Sequence, residues 1–123
     1  MKEKIITIAG QKTGAAYCYA TEIAFSRYTG KNIEDAFREG QPVSPEDVLY
    51  LILSAIVAYY ESRNEQPPVE STSVIYKATP QEITSAVTEI TNLRLAWYNL
   101  PPLEKIKADK EAEKAKEEGK GKN

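Results

Sequence analysis

With no histidine in its 123 residues, this chain would have to run any acid–base chemistry mainly on carboxylates. These fall in neighbouring sets: Glu34 with Asp35, Glu46 with Asp47, Glu61 with Glu65, and Glu111 with Glu113. Glu61 and Glu65 are four apart, so a helix would place them on one face. A glycosidase-like acid pair or a hard-cation site needs such groups to converge in a cleft. A solvated helix end explains the pair more simply. Glu22 stands apart because residues 20–25 around it are largely apolar. It could be a buried acid with a shifted pKa. The plainer reading is an acid that points outward or pairs with an arginine. Ser44 and Ser54 have no histidine to activate them, and Cys/His zinc sites are ruled out. The single cysteine, Cys18, reads as a small buried hydrophobe. Residues 9–14 contain glycine and a Lys-Thr pair, but not with P-loop spacing. The expectation is a protein that is not an enzyme, with no catalytic residue, no metal site and no cofactor.

Charge narrows the partners. Sixteen basic and eighteen acidic residues give a net charge of −2, which does not favour a duplex nucleic-acid binder. Tyr17, Tyr19, Arg27 and Tyr28 offer only a thin case for stacking single-stranded bases, so no nucleic acid is expected. The longest apolar stretch, residues 48–60, is too short for a membrane span of about 20 residues. The amino terminus has no signal-peptide core, and one cysteine cannot form an internal disulfide. No membrane association and a cytoplasmic location are expected.

Two short signals set the elements that would position any site. Ser44-Pro45-Glu46-Asp47 and Thr79-Pro80-Gln81-Glu82 each place a hydroxyl, a proline and then an acid three residues on. Such a run starts a helix: the hydroxyl accepts from an orphan N–H, proline suits the first helical position, and the acid closes a capping box. The Ser44 helix should run to about Arg63. Its apolar residues cover most of its circumference, so it should be central or covered by a partner. The Thr79 helix carries one stripe, Ile83, Ala86, Val87, Ile90, Leu93, Trp97 and Leu100, and Pro101-Pro102 stops it.

Before these, residues 4–9 read as a strand. Gly10-Gln11 reads as a two-residue turn, with a return strand over 12–17 that sets Thr13, Ala15 and Tyr17 on one face. A helix starting near Thr13 is the rival reading. Residues 19–29 form a helix with Gly30 as its left-handed stop. Asn32 caps a short helix reaching Glu39, and residues 72–78 suit another. Residues 103–123 hold seven lysines and six acids with little to bury. They should be flexible, or a helix frayed at its end and held by charge pairs such as Glu113 with Lys116. The expected fold is α+β and predominantly helical. A small amino-terminal hairpin precedes four to five helices in one domain over 1–102, with a flexible charged tail over 103–123.

Surfaces remain. Tyr59, Tyr60, Leu95 and Tyr98 are apolar positions the simplest core does not need, and are the candidate partner-binding residues. Burial against the hairpin or the short helices is the competing explanation.

Several stretches resemble the tail assembly chaperones of long-tailed bacteriophages and prophages. Tyr19-Ala-Thr-Glu-Ile-Ala-Phe25, continuing to Tyr28-Thr-Gly30, is similar to that family's first helix with its Thr-Gly stop, which there follows a small hairpin. The apolar helix over 49–60 takes the next place. Ala78-Thr-Pro-Gln-Glu-Ile83 resembles the start of the later helix, and Trp97-Tyr98-Asn99-Leu100-Pro101 its end. The likeness lies in the order of elements over about residues 4–102, since no single motif is specific. It implies a non-enzymatic protein that binds the tape-measure protein and tail-tube components during tail assembly in a bacterial host cell. It also implies possible homo-oligomers and, in many members, a longer frameshifted form, with which the lysine-rich run over 114–122 is compatible. The alternative is a small structural or adaptor protein acting through helix-mediated oligomerisation.

Overall fold

The computed structural model describes residues 1–121, with side chains described through Lys116. The chain opens with an antiparallel hairpin, β1 (Lys2–Ile8) and β2 (Gln11–Tyr17), in which Ile8 lies opposite Gln11. The turn is therefore Ala9-Gly10, one residue earlier than the expected Gly10-Gln11. Both central residues have positive φ, 51° and 78°. Tight hairpin turns need such angles to match the right-handed twist of the strands, and glycine supplies one of them without strain. The move leaves the expected face intact, because Ile6 pairs with Thr13, and Lys4 with Ala15. Thr13, Ala15 and Tyr17 are buried on it beside Ile6 and Ile8. Gly14 and Ala16 are buried as well, so β2 is covered on both faces, and a helix there is excluded.

Helix α1 (Tyr19–Thr29) ends at Gly30, whose φ of 71° is the expected left-handed stop. Helix α2 is a single turn (Ile33–Ala36) and falls short of Glu39. The Asn32 side chain caps it by accepting from the Asp35 N–H at 2.7 Å. Helix α3 (Pro45–Glu61) is the centre of the fold. Six consecutive residues, from Leu51 to Ile56, are buried. That is more than one full turn, so no side of the helix there meets solvent. Its one polar member, Ser54, donates to the Tyr50 carbonyl at 2.6 Å.

Helix α4 is again one turn (Thr72–Ile75), and α5 (Pro80–Trp97) follows. Five helices thus precede residue 103. The charged segment expected as a flexible tail is helix α6 (Leu103–Gly121) as far as it is described, and residues 122–123 lie outside the described residues. Leu103 and Ile106, its two larger apolar residues, are half-buried, and Leu103 N–H donates to Asn92 Oδ1 at 2.9 Å.

The two launch signals behave differently. At Thr79 the capping box is complete: Glu82 N–H donates to Thr79 Oγ1 at 3.1 Å, and Thr79 N–H to Glu82 Oε1 at 2.8 Å. At Ser44 no side-chain cap bond forms. Asp47, expected to close that box, is buried instead and accepts from Lys31 Nζ at 3.0 Å. A buried carboxylate needs a charged partner more than the helix end needs a cap.

Helix α3 packs along β2 and α1, and α5 packs along β1. The core between them holds Tyr17, Phe25, Ile52, Leu53, Ile56 and Ile90. Each such side chain stabilises the fold by about 1.5–3 kcal/mol through burial. On the α5 stripe, Ala86, Ile90 and Leu93 are buried, whereas Leu100 lies past the helix end and is exposed.

Candidate binding cleft

The four residues singled out as possible contact points separate into two pairs. Tyr59 and Tyr60, in the last turn of α3, are half-buried against β2. The Tyr59 ring lies directly on Gly14. A Cβ at that position would run into the ring carbons, so the strand needs glycine there. Arg63 stacks over the same ring, 3.8 Å from its centroid, and pairs with Glu3 of β1. Tyr60 Oη accepts from the Gly14 N–H at 3.1 Å and lies 3.4 Å from Thr13 Oγ1. It therefore satisfies a strand-edge donor that would otherwise need water.

Leu95 and Tyr98 lie together on the wall of an open cleft of about 540 Å³, shared with Glu22, Ile33, Arg94 and Leu100. Helix α1 brings Glu22, the start of α2 brings Ile33, and the end of α5 with its following turn brings the rest. Leu95 is half-buried and Tyr98 is 47% exposed. Glu22 Oε2 accepts two phenol protons, from Tyr98 at 2.7 Å and from buried Tyr17 at 2.9 Å. Burial first, and then the Glu22 carboxylate, push the Tyr17 phenol far above the ordinary tyrosine value. The hydrogen bond to Glu22, and then burial, raise Tyr98. Both phenols therefore stay protonated and act as donors.

Arg94 is the unusual member. It is half-buried and makes no salt bridge among the described residues. Its Nε is buried without a hydrogen-bond partner among the described residues. Its guanidinium carbon lies 5.7 Å from the Tyr98 ring centroid, at the margin of a cation–π contact. A buried donor left unpaired costs about 1–3 kcal/mol, which a suitably placed acceptor would recover. Sequence reasoning passed over Arg94. One signal was present: no acid lies three or four residues from it on either side, where Ile90, Thr91, Trp97 and Tyr98 stand.

Exposed apolar side chains stand on the helices that form this cleft. Tyr19 is 69% exposed and meets half-buried Trp97 edge-on, with ring centroids 5.6 Å apart. Ile23 on α1 and Leu100 beyond α5 are more than half exposed. A smaller cleft of about 320 Å³ lies on the other side of α1, between it and α3, lined in part by Ile23, Ala24, Arg27, Tyr28, Val57 and Glu61.

The acids do not come together in one cleft. Glu22 lies between α1 and α5, Glu61 lies between α1 and α3, and Glu65 is exposed beyond α3. No group of three or more His, Cys, Asp or Glu side chains that could hold a metal ion occurs among the described residues. Among them, too, no helix is long and apolar enough to cross a membrane. Cys18 is partly exposed at the cap of α1, rather than buried as expected, because its backbone turns there to accept the helix. No family model, no curated protein and no solved structure matches the chain.

Proposed function

We propose that this protein is a non-enzymatic binding protein of the phage or prophage tail assembly chaperone type, which covers apolar segments of the tape-measure protein and of tail-tube components. One observation carries the reading: exposed aromatic and aliphatic side chains stand on α1 and at the end of α5, on elements that line two open clefts. Exposed apolar surface of this kind usually serves a protein partner. A cleft with a few polar groups among apolar walls suits a side chain or short segment of that partner. The order of elements agrees with the resemblance: hairpin, a first helix stopped at Gly30, the apolar α3, and a later helix opened at Thr79.

The mechanism is burial. Client side chains that would otherwise aggregate enter the surface bounded by Tyr19, Ile23, Tyr98 and Leu100, and a few anchors set the affinity. The test is a pull-down with the tape-measure protein encoded beside this chain. Retention on the wild type, reduced at least several-fold by Ile23→Glu or Leu100→Glu, is the expected result. No retention by this chain or by a longer form would sink the reading.

The exposed stripe of α1 also favours a second reading, an adaptor that oligomerises through that helix. Light scattering over a range of concentrations separates the two. A closed oligomer that hides Tyr19 and Ile23 and ignores the tape-measure protein supports the adaptor.

A further inference from the structure

Strand β1 leaves one edge of the hairpin open. The two-residue turn makes Ile8 and Gln11 a hydrogen-bonded pair, and such pairs alternate along an antiparallel ladder. Ile6, Lys4 and Lys2 therefore bond to β2, whereas the N–H and C=O groups of Glu3, Ile5 and Thr7 point away from it. The Gly14 N–H, opposite Ile5, fixes the phase, since it too points out of the ladder and donates to Tyr60. Tyr60 thus closes the outer edge of β2 at that point. Nothing closes the edge of β1. No hydrogen bond reaches the Glu3, Ile5 or Thr7 backbone among the described residues, and all three residues are exposed. The strand has neither a proline nor a bulge to blunt it.

An open cleft of about 340 Å³ runs along this edge. Its lining includes the consecutive residues from Lys4 to Thr7, which alternate between the two faces of the strand, so the cleft lies at the edge rather than on a face. The opposite wall is α5 and its cap, between Thr79 and Glu89, where Ser85 and Ala86 present little bulk. Glu82 and Glu89 face a single base, Lys4, which is bound to Glu89 at 2.6 Å. Glu82 carries the charge left over. It accepts from the backbone N–H groups of Thr79 and Gly10 but pairs with no cation among the described residues.

From this open edge and its charge we infer that the cleft between β1 and α5 takes an extended segment of a client polypeptide as a third strand. The backbone of that segment pairs with Glu3, Ile5 and Thr7, its inward side chains are small or aliphatic, and a lysine or arginine on it meets Glu82. The position of α5 disfavours a second copy as the occupant. This helix packs along β1 more than along β2 and walls the cleft. Two copies joined antiparallel, β1 to β1, would bring both α5 helices beneath strands about 5 Å apart, whereas packed helices need about 8–10 Å. The inference rests on the chaperone reading and adds a contact that tolerates many client sequences, because main-chain bonds do not read side chains.

The experiment uses the full chain and overlapping fluorescent peptides covering the tape-measure protein, with the intact tape-measure protein as a parallel arm. Binding is read by anisotropy and by amide hydrogen exchange. Peptides that bind should slow exchange at the Ile5 and Thr7 amides about tenfold or more. N-methylation along a bound peptide should then alternate in effect. A methyl on an amide that faces β1 should weaken binding about tenfold or more, and one on the next amide much less. The methylated peptides leave the protein unaltered, so this result does not depend on how well a variant folds. Ile5→Pro should abolish binding of the same peptides while keeping the hairpin, because the Ile5 N–H makes no bond to β2. Replacing the peptide's basic residue by glutamate should weaken binding a few-fold, and Glu82→Gln should remove that preference. If peptides or the intact partner bind without the alternation and leave the Ile5 and Thr7 amides unprotected, strand addition is overturned and the chaperone reading stands. If those amides become protected as this chain alone is concentrated, a second copy is the occupant and the client assignment falls. If the intact partner does not bind the wild type at all, both readings fall.

Discussion

The two ends of the tyrosine set contrast a sealed surface with an open one. At the end of α3, Tyr59 and Tyr60 are spent on the protein's own hairpin: one ring covers a glycine, and one hydroxyl occupies a strand-edge N–H. At the end of α5, Tyr98 leans on Glu22 yet remains 47% exposed, beside an arginine that makes no ion pair among the described residues. Tyrosine suits both duties because it joins an apolar body to a polar tip. What differs is what lies opposite. Strand β2 offers a residue with no side chain and a free donor, so the rings close down. The α1 helix offers a carboxylate that tethers the Tyr98 hydroxyl while leaving the ring face beside a cleft.

That contrast predicts how strongly each part responds to change. The largest effect should come from Gly14→Ala, which puts a methyl group into the Tyr59 ring. We expect a loss of about 1–3 kcal/mol in urea unfolding. Tyr59→Ala on the same chain should remove much of the added penalty, making the pair less than additive. A silent Gly14→Ala would break the sealed half of the comparison.

Tyr60→Phe should cost about 1 kcal/mol, because the Gly14 N–H loses its acceptor. Hydrogen exchange at that amide should quicken even if the melt moves little.

Glu82 offers a smaller, pH-dependent effect. Its carboxyl is held below its ordinary value of 4.5, by the Thr79 backbone N–H first and by Gly10 next. A lowered folded-state pKa means that its contribution to stability is present above the unfolded value and is lost as the pH falls through the folded one. Acid titration of stability should therefore show a component in that range, and Glu82→Gln should flatten it. A variant with the wild-type acid profile would remove Glu82 from the account.

Tyr98→Phe should have the smallest effect on stability, within about 0.5 kcal/mol, since its hydroxyl bond is at the surface. A loss as large as that of Gly14→Ala would show that the open cleft is as structural as the sealed patch.

Legibility in the sequence followed the range of the interactions. The limits of α1 and the stop at Gly30 were plain, because helix period and a left-handed glycine are local. The box at Thr79 was plain for the same reason. The box at Ser44 was equally plain and did not form, since Asp47 found Lys31, sixteen positions away. The turn moved to Ala9-Gly10, where the Gly10 N–H also donates to Glu82 at 2.9 Å across 72 positions. Of the cleft, Leu95 and Tyr98 were visible as surplus apolar residues. Arg94 was not singled out, because its defining property is a missing partner in three dimensions.

The sequence by itself determined the elements and the centre. The β-branched run over 4–9 with its turn pointed to a hairpin, the helix-start signals and the 3.6-residue period to the helices through α5, and the all-round apolarity of α3 to its place inside, whereas the helix over 103–121 was expected as a flexible tail. These depend on neighbours within a turn or two. Tertiary structure alone decided which tyrosines would be sealed, which acid would be bridged and which arginines would make no salt bridge among the described residues. Each depends on side chains brought together from distant parts of the chain, as Glu22 and Tyr98 are across 76 positions. The energies of such meetings arise only when packing removes water from both partners at once.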